Sequence, residues 1–297
     1  MDPKYSYIPQ IKELSCESPP IARRILEIQA DIDESKIATA RAEFGNKIKN
    51  FLPNSRTVFD WGISIPHDTS GYPLFEHMES NVDLVDVWES EDLTKICNRL
   101  ITRKKSLQLI AENKAEYAQK FSDLESLSNT ILPEWANSFA VTKIKKISLV
   151  YINEINKRNF PTFIMDNGEI PLAKILKLFH GHQLNADLKL LPPYEHSVNY
   201  LVDQQKNSEG GWYVSGGSKL ESKGRGEERK GPDAALDLIL TASLSALEGK
   251  DNQQLTWNFP NVKHNIESLH GLISDLFCSI FTEEALKSFG TKTGTTA

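Results

Sequence analysis

Acidic side chains are densest in residues 75–92, where seven carboxylates occur without a lysine or an arginine. They are interleaved with valine, leucine and tryptophan, which is typical of a strand or a sheet edge with one solvated side. A metal site is a second interpretation, although the carboxylates lack the spacing of a calcium loop. A third is a face that contacts a basic protein partner, for which Asp83, Asp86 and Glu89 are the candidate residues.

Histidine and cysteine supply few further candidates for metal ligands, with seven histidines and three cysteines in the chain. His180 and His182 flank a glycine, as two ligands of one metal can, but the sequence identifies no third ligand. Histidine and glycine at a helix end are also explained by capping of the last carbonyl groups. The three cysteines, Cys16, Cys97 and Cys278, form no Cys-x-x-Cys pair. The sequence therefore predicts neither a bound metal nor another cofactor.

Glycine and charged residues dominate residues 210–233, the one break in composition inside the chain. Glycines let backbone amides approach a phosphate, but neither the Gly-x-x-x-x-Gly-Lys-Ser/Thr pattern nor a Gly-x-Gly-x-x-Gly turn occurs here. We expect a long solvated hairpin loop, with residues 216–233 flexible. The alternative is an enzyme or sensor site for a nucleotide or another phosphorylated ligand, built from Lys223, Arg225, Arg229, His180 and His182.

Charge and residue types argue against several classes of function. A formal charge of −6 and a pI near 5.7 disfavour sequence-independent nucleic-acid binding, which needs a dense excess of lysine and arginine. No apolar run is long enough to cross a membrane, and the first residues lack a secretory signal, so we expect a cytoplasmic protein. No nucleophile, base and orienting residue combine into a set, so no catalytic residue is predicted.

Alternation of apolar residues predicts a long strand at Lys143–Asn156. Leu149 and Tyr151 fall on one face, and Val150 and Ile152 fall on the other. Because both faces are apolar, this strand is expected in the middle of a sheet that is covered on two sides. We therefore expect Leu149 and Tyr151 to be buried.

The remaining elements follow from strand and helix periodicity. Strands are predicted at residues 23–32, 59–65, 160–164, 184–190, 198–202, 236–244 and 255–259, with a hairpin at 96–110 that turns at 103–105. Helices are predicted from an N-cap at Ser35 to Pro53, over residues 115–140 with an interruption at Pro133, over 171–179 and 262–280, and over 283–289 behind a cap at Thr282. Residues 291–297 are expected to fray.

Two blocks of this sequence resemble a known family. The first is Leu-Val-Tyr-Ile-Asn-Glu-Ile at residues 149–155, and the second runs from Ser-Leu-His at 268–270 to Phe-Thr-Glu-Glu-Ala-Leu at 281–286. Together with the order of the elements, they are similar to a sporadically distributed, uncharacterised prokaryotic protein family of about this length. The resemblance implies a shared fold over nearly the whole chain and a link to mobile or defence loci, and it implies no catalytic residues.

We therefore expect an α+β fold, with a mostly antiparallel sheet in two similar-sized portions, amphipathic helices packed on its faces and a long C-terminal helix. The portions are residues 1–142 and 143–297, which we expect to form one continuous unit. The predicted function is non-catalytic binding or regulation of a protein partner, in the manner of an antitoxin, an inhibitor or a chaperone. The sequence is also compatible with a homo-oligomer.

Overall fold

The computed structural model describes residues 5, 7–9, 14–16, 20–64, 79–90, 96–113, 120–156, 160–163, 170–179, 182–183, 189–190, 195–207, 210–223, 235–247 and 255–293. The helices are α1 (Ile37–Ile48), α2 (Phe121–Ser138), α3 (Leu172–Ile175), α4 (Phe259–Ile280) and α5 (Glu283–Ser288), with short 3-10 helices at Glu34–Lys36 and Pro161–Phe163. The strands are β1 (Leu14–Cys16), β2 (Ile21–Ala30), β3 (Asn54–Ser64), β4 (Glu79–Glu89), β5 (Ile96–Thr102), β6 (Ser106–Asn113), β7 (Lys143–Asn156), β8 (Ile170–Pro171), β9 (Leu178–Phe179), β10 (His182–Gln183), β11 (Lys189–Leu190), β12 (Glu195–Asn207), β13 (Gly210–Lys223), β14 (Ala235–Ala246), β15 (Leu255–Thr256) and β16 (Thr291–Thr293).

One large antiparallel sheet contains ten of these strands, in the order β12-β13-β14-β7-β2-β6-β5-β4-β3 with β15 paired to the start of β7. The two halves of the sheet share one arrangement, in which the first strand pairs with the last long strand. In the first half β2 pairs with β6, and in the second β7 pairs with β14. β2 and β7 then pair with each other in the middle. The predicted α+β fold, with an antiparallel sheet in two portions and a long C-terminal helix, is confirmed.

β7 is the central strand, as its alternation predicts. In the sheet, Leu149 lies between Leu26 of β2 and Ala242 of β14. Leu149 and Tyr151 are buried, which confirms that prediction, whereas Val150 on the opposite face is only half-buried. The two faces of the sheet therefore differ, and the main hydrophobic core lies on the face of Leu149.

The long helices lie on this core-bearing face. Phe44 of α1 packs edge-on against Trp88 of β4, with ring centroids 5.7 Å apart. Phe139, which follows α2, packs against Phe44 at 5.9 Å, and α4 lies across β7 and β14. Trp135 of α2 is fully buried, so this face of the helix belongs to the core. Pro133 stands inside α2 without ending the helix.

Both C-terminal helices begin at side-chain caps. Asn258 Oδ1 accepts a hydrogen bond from the Asn261 N–H at 3.3 Å, which starts α4. Thr282 Oγ1 accepts one from the Ala285 N–H at 3.1 Å, which confirms the predicted cap of α5. Gly290 follows α5 with a φ of 69°, in the left-handed region that favours glycine.

The flexible loop predicted at residues 216–233 is wrong for residues 216–223, which belong to β13, and its remainder lies outside the described residues. β13 pairs with β12 over residues 210–221 on one side and with β14 over residues 212–223 on the other. Gly216 is buried opposite Ala242 of β14. Pairing on both sides outweighs the low strand propensity of glycine, which depends strongly on context.

Further predictions of shorter elements are also wrong. The helix predicted over residues 171–179 ends at Ile175, and Leu178–Phe179 forms β9. Ser35 does not cap α1, since its N–H and hydroxyl both donate to Asp33 Oδ1 in the turn before the helix. Pro161–Phe163 is a 3-10 helix rather than a strand, and its proline lacks the N–H that a strand ladder needs. Thr291–Thr293 pairs with β1 instead of fraying.

Candidate binding cleft beside an edge strand

Two acidic residues of β4, Asp86 and Glu89, are bound by arginines from neighbouring elements. β4 lies between β3 and β5, and Asp86 and Glu89 are each only 8% exposed. Arg41 of α1 donates two hydrogen bonds to the Asp86 carboxylate, and the Thr57 hydroxyl donates a third at 2.6 Å. Two of the three predicted partner-contact residues are thus engaged within the chain. Asp83 also lies in β4, and its side chain is outside the described part.

Glu89 lies between two arginines on the opposite face of β4. Arg99 Nε donates to one carboxylate oxygen at 2.5 Å, and Arg56 Nη1 donates to the other at 2.7 Å. Burial alone would raise the pKa of Glu89, but the hydrogen bonds and charges of Arg99 and Arg56 outweigh it and hold the pKa below its usual value. Glu89 therefore stays ionised and fixes Arg56 in place.

A cleft of about 690 Å³ opens between α1 and strands β3 and β4, and we call it the α1 cleft. Ala38, Ala42 and Gly45 line it from the helix, and their spacing puts them on one helix face. A Cβ added at Gly45 would lie 3.7 Å from Trp88, which also lines the cleft. These small residues leave open the space that larger side chains on this helix face would fill.

The lining of the α1 cleft carries more positive than negative charge. Arg41, Lys49 and Arg56 contribute cations, and Asp86 is the only carboxylate among the lining residues. Asn46 adds an amide that can donate or accept hydrogen bonds. Asp86 pairs with Arg41, and Glu89 pairs with Arg56 from outside the lining, so among the described residues Lys49 is the lining cation without an ion pair. The cleft therefore favours a ligand group with negative charge.

β3 forms the edge of the sheet beside this cleft. It pairs with β4 over 11 residues without a register shift, and no other strand of the described residues pairs with it. It contains neither proline nor lysine, two residues that commonly protect edge strands. β12, at the other edge, has a bulge between Leu201 and Asp203 that interrupts its pairing. β3 is therefore the edge that is better suited to accept another strand.

Large apolar side chains are exposed around this edge. Phe51 precedes β3 and is 54% exposed, Val58 in β3 is 37% exposed, and Leu84 of the neighbouring β4 is 42% exposed. Exposed apolar side chains that gather around one feature often mark an interaction site. The edge of β3 thus combines backbone groups that no strand of the described residues pairs, exposed apolar side chains and an adjoining cationic cleft.

A second polar cluster lies inside the core, where β2, β7 and α4 meet. Arg24 is opposite Tyr151 in the β2–β7 register, and its guanidinium carbon lies 5.2 Å from the centre of the Tyr151 ring. The Tyr151 hydroxyl lies 2.8 Å from His270 Nδ1, and the imidazole stacks on Phe121 with ring centroids 3.9 Å apart. Arg24 is 5% exposed, and its Nε has no hydrogen-bond partner among the residues described.

Burial controls the ionisation of this cluster. It raises the pKa of Tyr151, and it lowers the pKa of Arg24. It also lowers the pKa of His270 to about 4, and the neighbouring Arg24 charge adds to the effect. A general acid or base works best with a pKa near the working pH. The pKa of Tyr151 is raised further above neutral pH, and the pKa of His270 is lowered further below it. The cluster is therefore better suited to joining helix and sheet than to proton transfer.

Spacing in the sequence could have located this cluster. Arg24 precedes Leu26 and Ile28 in the alternation of β2, so position 24 faces the core. His270 lies four residues after Ile266 on the buried side of α4. A charged residue at a position that the pattern assigns to the core is an informative departure.

The residues predicted for a phosphorylated ligand are described only in part. His182 is in β10, paired with β9, and Lys223 ends β13. His180, Arg225 and Arg229 lie outside the described residues, so this alternative site stays a prediction. Within the residues described, no group of three or more His, Cys, Asp or Glu side chains could hold a metal ion. None of the helices described is both long and apolar enough to span a membrane.

No protein-family model matches the chain, and no curated protein matches it. Among solved structures the chain is similar to DynU16, a protein in the dynemicin biosynthetic locus, with 9% sequence identity and a TM-score of 0.18. The match covers 90% of this chain and 98% of DynU16. A likeness this weak carries no argument about fold or function, which therefore depend on the residues and geometry of this chain.

Proposed function

We propose that the protein is a non-catalytic binding protein that pairs its β3 edge with an extended, acidic segment of a protein partner. The observation that carries this proposal is an unprotected edge strand beside a cleft with excess positive charge. Helix and strand are close in the chain, since α1 ends at Ile48 and β3 begins at Asn54. One short stretch of sequence therefore supplies both the edge and the cations.

Backbone groups of the edge strand supply the affinity. An added strand forms main-chain hydrogen bonds to the edge, and its alternate side chains give specificity. Ser55 and Thr57 of β3 line the α1 cleft. An added strand beside them would direct every second side chain towards the helix side of the sheet, where the cleft lies.

The positive charge of the α1 cleft indicates that the partner's segment carries acidic side chains. Carboxylates on every second residue of an added strand would lie on the helix side of the sheet, where Arg41 and Lys49 line the cleft. Hydrogen bonds between carboxylates and lysine or arginine are stronger than those between neutral groups. Because salt screens such interactions, binding is expected to weaken as the ionic strength rises.

A second copy of this chain would fit the same edge less well. In a symmetric pairing of two β3 strands, each α1 cleft would approach the α1 cleft of the other copy. The cations of the two clefts would repel each other, and Asp86 is already bound to Arg41. We therefore favour a different, acidic protein over a homodimer through β3.

Two short peptides of opposite charge test this proposal on the intact protein. One alternates glutamate with valine, and the other alternates lysine with valine. Fluorescence anisotropy should detect binding of the glutamate peptide, and hydrogen exchange should show new protection of the amides of residues 54–58. Equal binding of the lysine peptide, or protection at β12 in place of β3, would contradict the proposal.

Charge reversal at two lysines tests whether the α1 cleft, rather than the protein surface in general, binds the glutamate peptide. Lys49→Glu is expected to raise the Kd of the glutamate peptide by about tenfold or more, since it replaces a cation of the cleft with an anion. Lys287→Glu makes the same change on the exposed surface of α5 and should leave this Kd within about twofold. If Lys49→Glu keeps its fold by circular dichroism and binds as before, the α1 cleft is not the site.

A further inference from the structure

The described residues of the segment 5–9 belong to no helix or strand and lie against α4. We call this segment the N-terminal strap. The Tyr5 N–H donates to Asn265 Oδ1 at 3.1 Å, and the Ser268 hydroxyl donates to the Tyr5 carbonyl at 2.9 Å. Asn265 and Ser268 are both buried. Two buried side chains of the helix therefore bind both backbone groups of one strap residue.

Alternate side chains of the strap contact the rest of the protein. Tyr5 is buried, and its ring packs edge-on against Trp212 of β13 with centroids 5.8 Å apart. Tyr7 is half-buried, and its hydroxyl donates to the Asp275 carboxylate of α4 at 2.7 Å. Ile8, the next residue, is 78% exposed. This alternation is typical of an extended peptide that presents one side to the surface it binds.

Gly271 of α4 leaves room for the strap. A Cβ at this position would lie 2.9 Å from Pro9 Cγ and 3.5 Å from Tyr7 Cδ1, and its three nearest neighbours would all be strap atoms. Inside a helix, glycine is less stable than alanine. Gly290 is the only glycine with a positive φ among the residues described, so Gly271 does not serve a left-handed backbone. The close approach of the strap is what explains this glycine.

We infer that this side of α4 is a binding site for an extended peptide of the pattern Tyr-x-Tyr-x-Pro, and that the strap occupies it as a tethered ligand. The strap site consists of four residues of α4 and one of β13, namely Asn265, Ser268, Gly271, Asp275 and Trp212. The spacing of the four helix residues puts them on one helix face. A protein partner with such a segment binds here when the strap is displaced. This site does not depend on the proposed edge-strand function.

Two features make the strap exchangeable. Ile8 and Pro9 are exposed, so they bury little surface against the helix. The Tyr5 hydroxyl is buried without a hydrogen-bond partner among the residues described, which costs free energy. Because the strap is part of the same chain, its effective concentration at the site is high, and a free peptide must compete with it. Weakening the strap should therefore make the site available to a free peptide.

Fluorescence anisotropy with a labelled peptide of residues 1–13 tests the inference on the full-length chain. Tyr5→Ala combined with Tyr7→Ala weakens the strap and leaves every residue of the strap site unchanged. This double variant is expected to bind one peptide per chain, with a Kd at least about tenfold lower than that of the wild type. A peptide with alanine in place of both tyrosines should not bind. No saturable binding to the double variant, or an equal Kd for the wild type, would overturn the inference.

Substitution of two helix glycines locates the bound peptide. Gly271→Ala, added to the double variant, places a Cβ where Pro9 of the peptide has to lie and should raise the peptide Kd by about tenfold or more. Gly45→Ala of α1 places a Cβ at an ordinary 3.7 Å from Trp88 and should leave this Kd within about twofold. An unchanged Kd after Gly271→Ala would overturn the assignment to the strap site.

Hydrogen exchange of the wild-type protein tests the strap without any substitution. The Tyr5 amide is bonded to Asn265, and it should exchange through a local opening that leaves the sheet intact. Its protection factor is therefore expected to be at least about tenfold lower than that of the Leu149 amide in β7. Equal protection of the two amides would show that the strap opens only when the whole chain unfolds, and it would overturn the inference.

Discussion

Arg24, Tyr151 and His270 form a chain of polar contacts inside a core that is mostly apolar. The Arg24 guanidinium lies against the Tyr151 ring, and the Tyr151 hydroxyl lies within hydrogen-bond distance of His270. A buried charge is costly unless polar or aromatic groups replace its hydration, and the tyrosine supplies both. Protonation of His270 would place a second cation beside Arg24, so this arrangement depends on a neutral imidazole.

Neutral His270 should make the stability of the protein depend on pH. Its pKa in the folded chain is about 4, below the ordinary value of 6.5 expected when the chain is unfolded. Between these values the unfolded chain binds more protons, so the contribution is complete above pH 6.5 and is lost as the pH falls towards 4. The difference corresponds to about 3 kcal/mol, at about 1.4 kcal/mol per unit. Urea unfolding at a series of pH values measures this loss.

Substitution of two histidines of α4 tests whether His270 causes this pH dependence. His270→Gln should flatten the pH dependence in this window, because the titrating group is removed. His264→Gln, at a half-buried position of α4, should retain the wild-type dependence. A parallel loss of stability in the wild type and in His270→Gln would assign the effect to another group.

Leu149→Ala should lower the free energy of unfolding by about 2–5 kcal/mol, because truncation of a core leucine loses transfer energy and leaves a cavity. The side chain is fully buried in the central strand. Val150→Ala, on the half-buried face of the same strand, should cost less. Chemical denaturation measures both values. A loss below about 0.5 kcal/mol for Leu149→Ala is typical of surface positions and would contradict this placement.

Residue types alone could not predict how Asp86 and Glu89 of β4 are neutralised. Asp86 is part of an acidic stretch, and its partner Arg41 stands 45 positions earlier in another element. Arg56 and Arg99 reach Glu89 from two different strands that flank β4. Such pairs depend on the strand register and on the position of α1, neither of which local spacing contains. The sequence therefore shows the carboxylates but not the cations that face the α1 cleft.

Elements with one strongly apolar face were predictable, because that face must be buried. β14 is an example, since Leu236, Leu238 and Leu240 alternate and are all fully buried. β13 carries a weaker signal, with Gly216 and Gly217 in the middle of its alternation. Its strand conformation depends on β12 and β14, which supply the partners on both sides. β16 was missed for a similar reason, as its partner β1 is near the other end of the chain.

Asn258→Ala should lower the free energy of unfolding by about 1 kcal/mol. The reason is that the Asn258 side chain accepts the hydrogen bond of an N–H that no helical carbonyl can satisfy at the start of α4. Asn258→Asp keeps an acceptor at this position and should stay within about 0.5 kcal/mol of the wild type. Thermal unfolding checks both variants, and an equal loss in the two would show that the cap contributes nothing.

At the scale of the whole molecule, the pairing of β2 with β7 joins two units of similar plan. In each unit a first strand pairs with the last long strand, as β2 does with β6 and β7 does with β14. Each first strand then has its other side covered by the first strand of the other unit. The sheet is thereby continuous, with its two edges, β3 and β12, at the far ends of the two units.

We therefore expect that neither portion, residues 1–142 or residues 143–297, folds stably when it is produced alone. When the two portions are produced together, they should assemble into a one-to-one complex. Separation would expose the long edges of β2 and β7, which pair with each other from Ile21 to Ala30. It would also break the packing of Trp135 against Trp257, whose ring centroids are 6.1 Å apart across the two portions. Circular dichroism and size-exclusion chromatography of each portion, alone and in combination, measure the outcome. A portion that needs the β2–β7 pairing cannot reach the stability of the intact chain alone. Cooperative unfolding of either isolated portion at the transition temperature of the intact chain would therefore contradict this prediction and identify two independent domains.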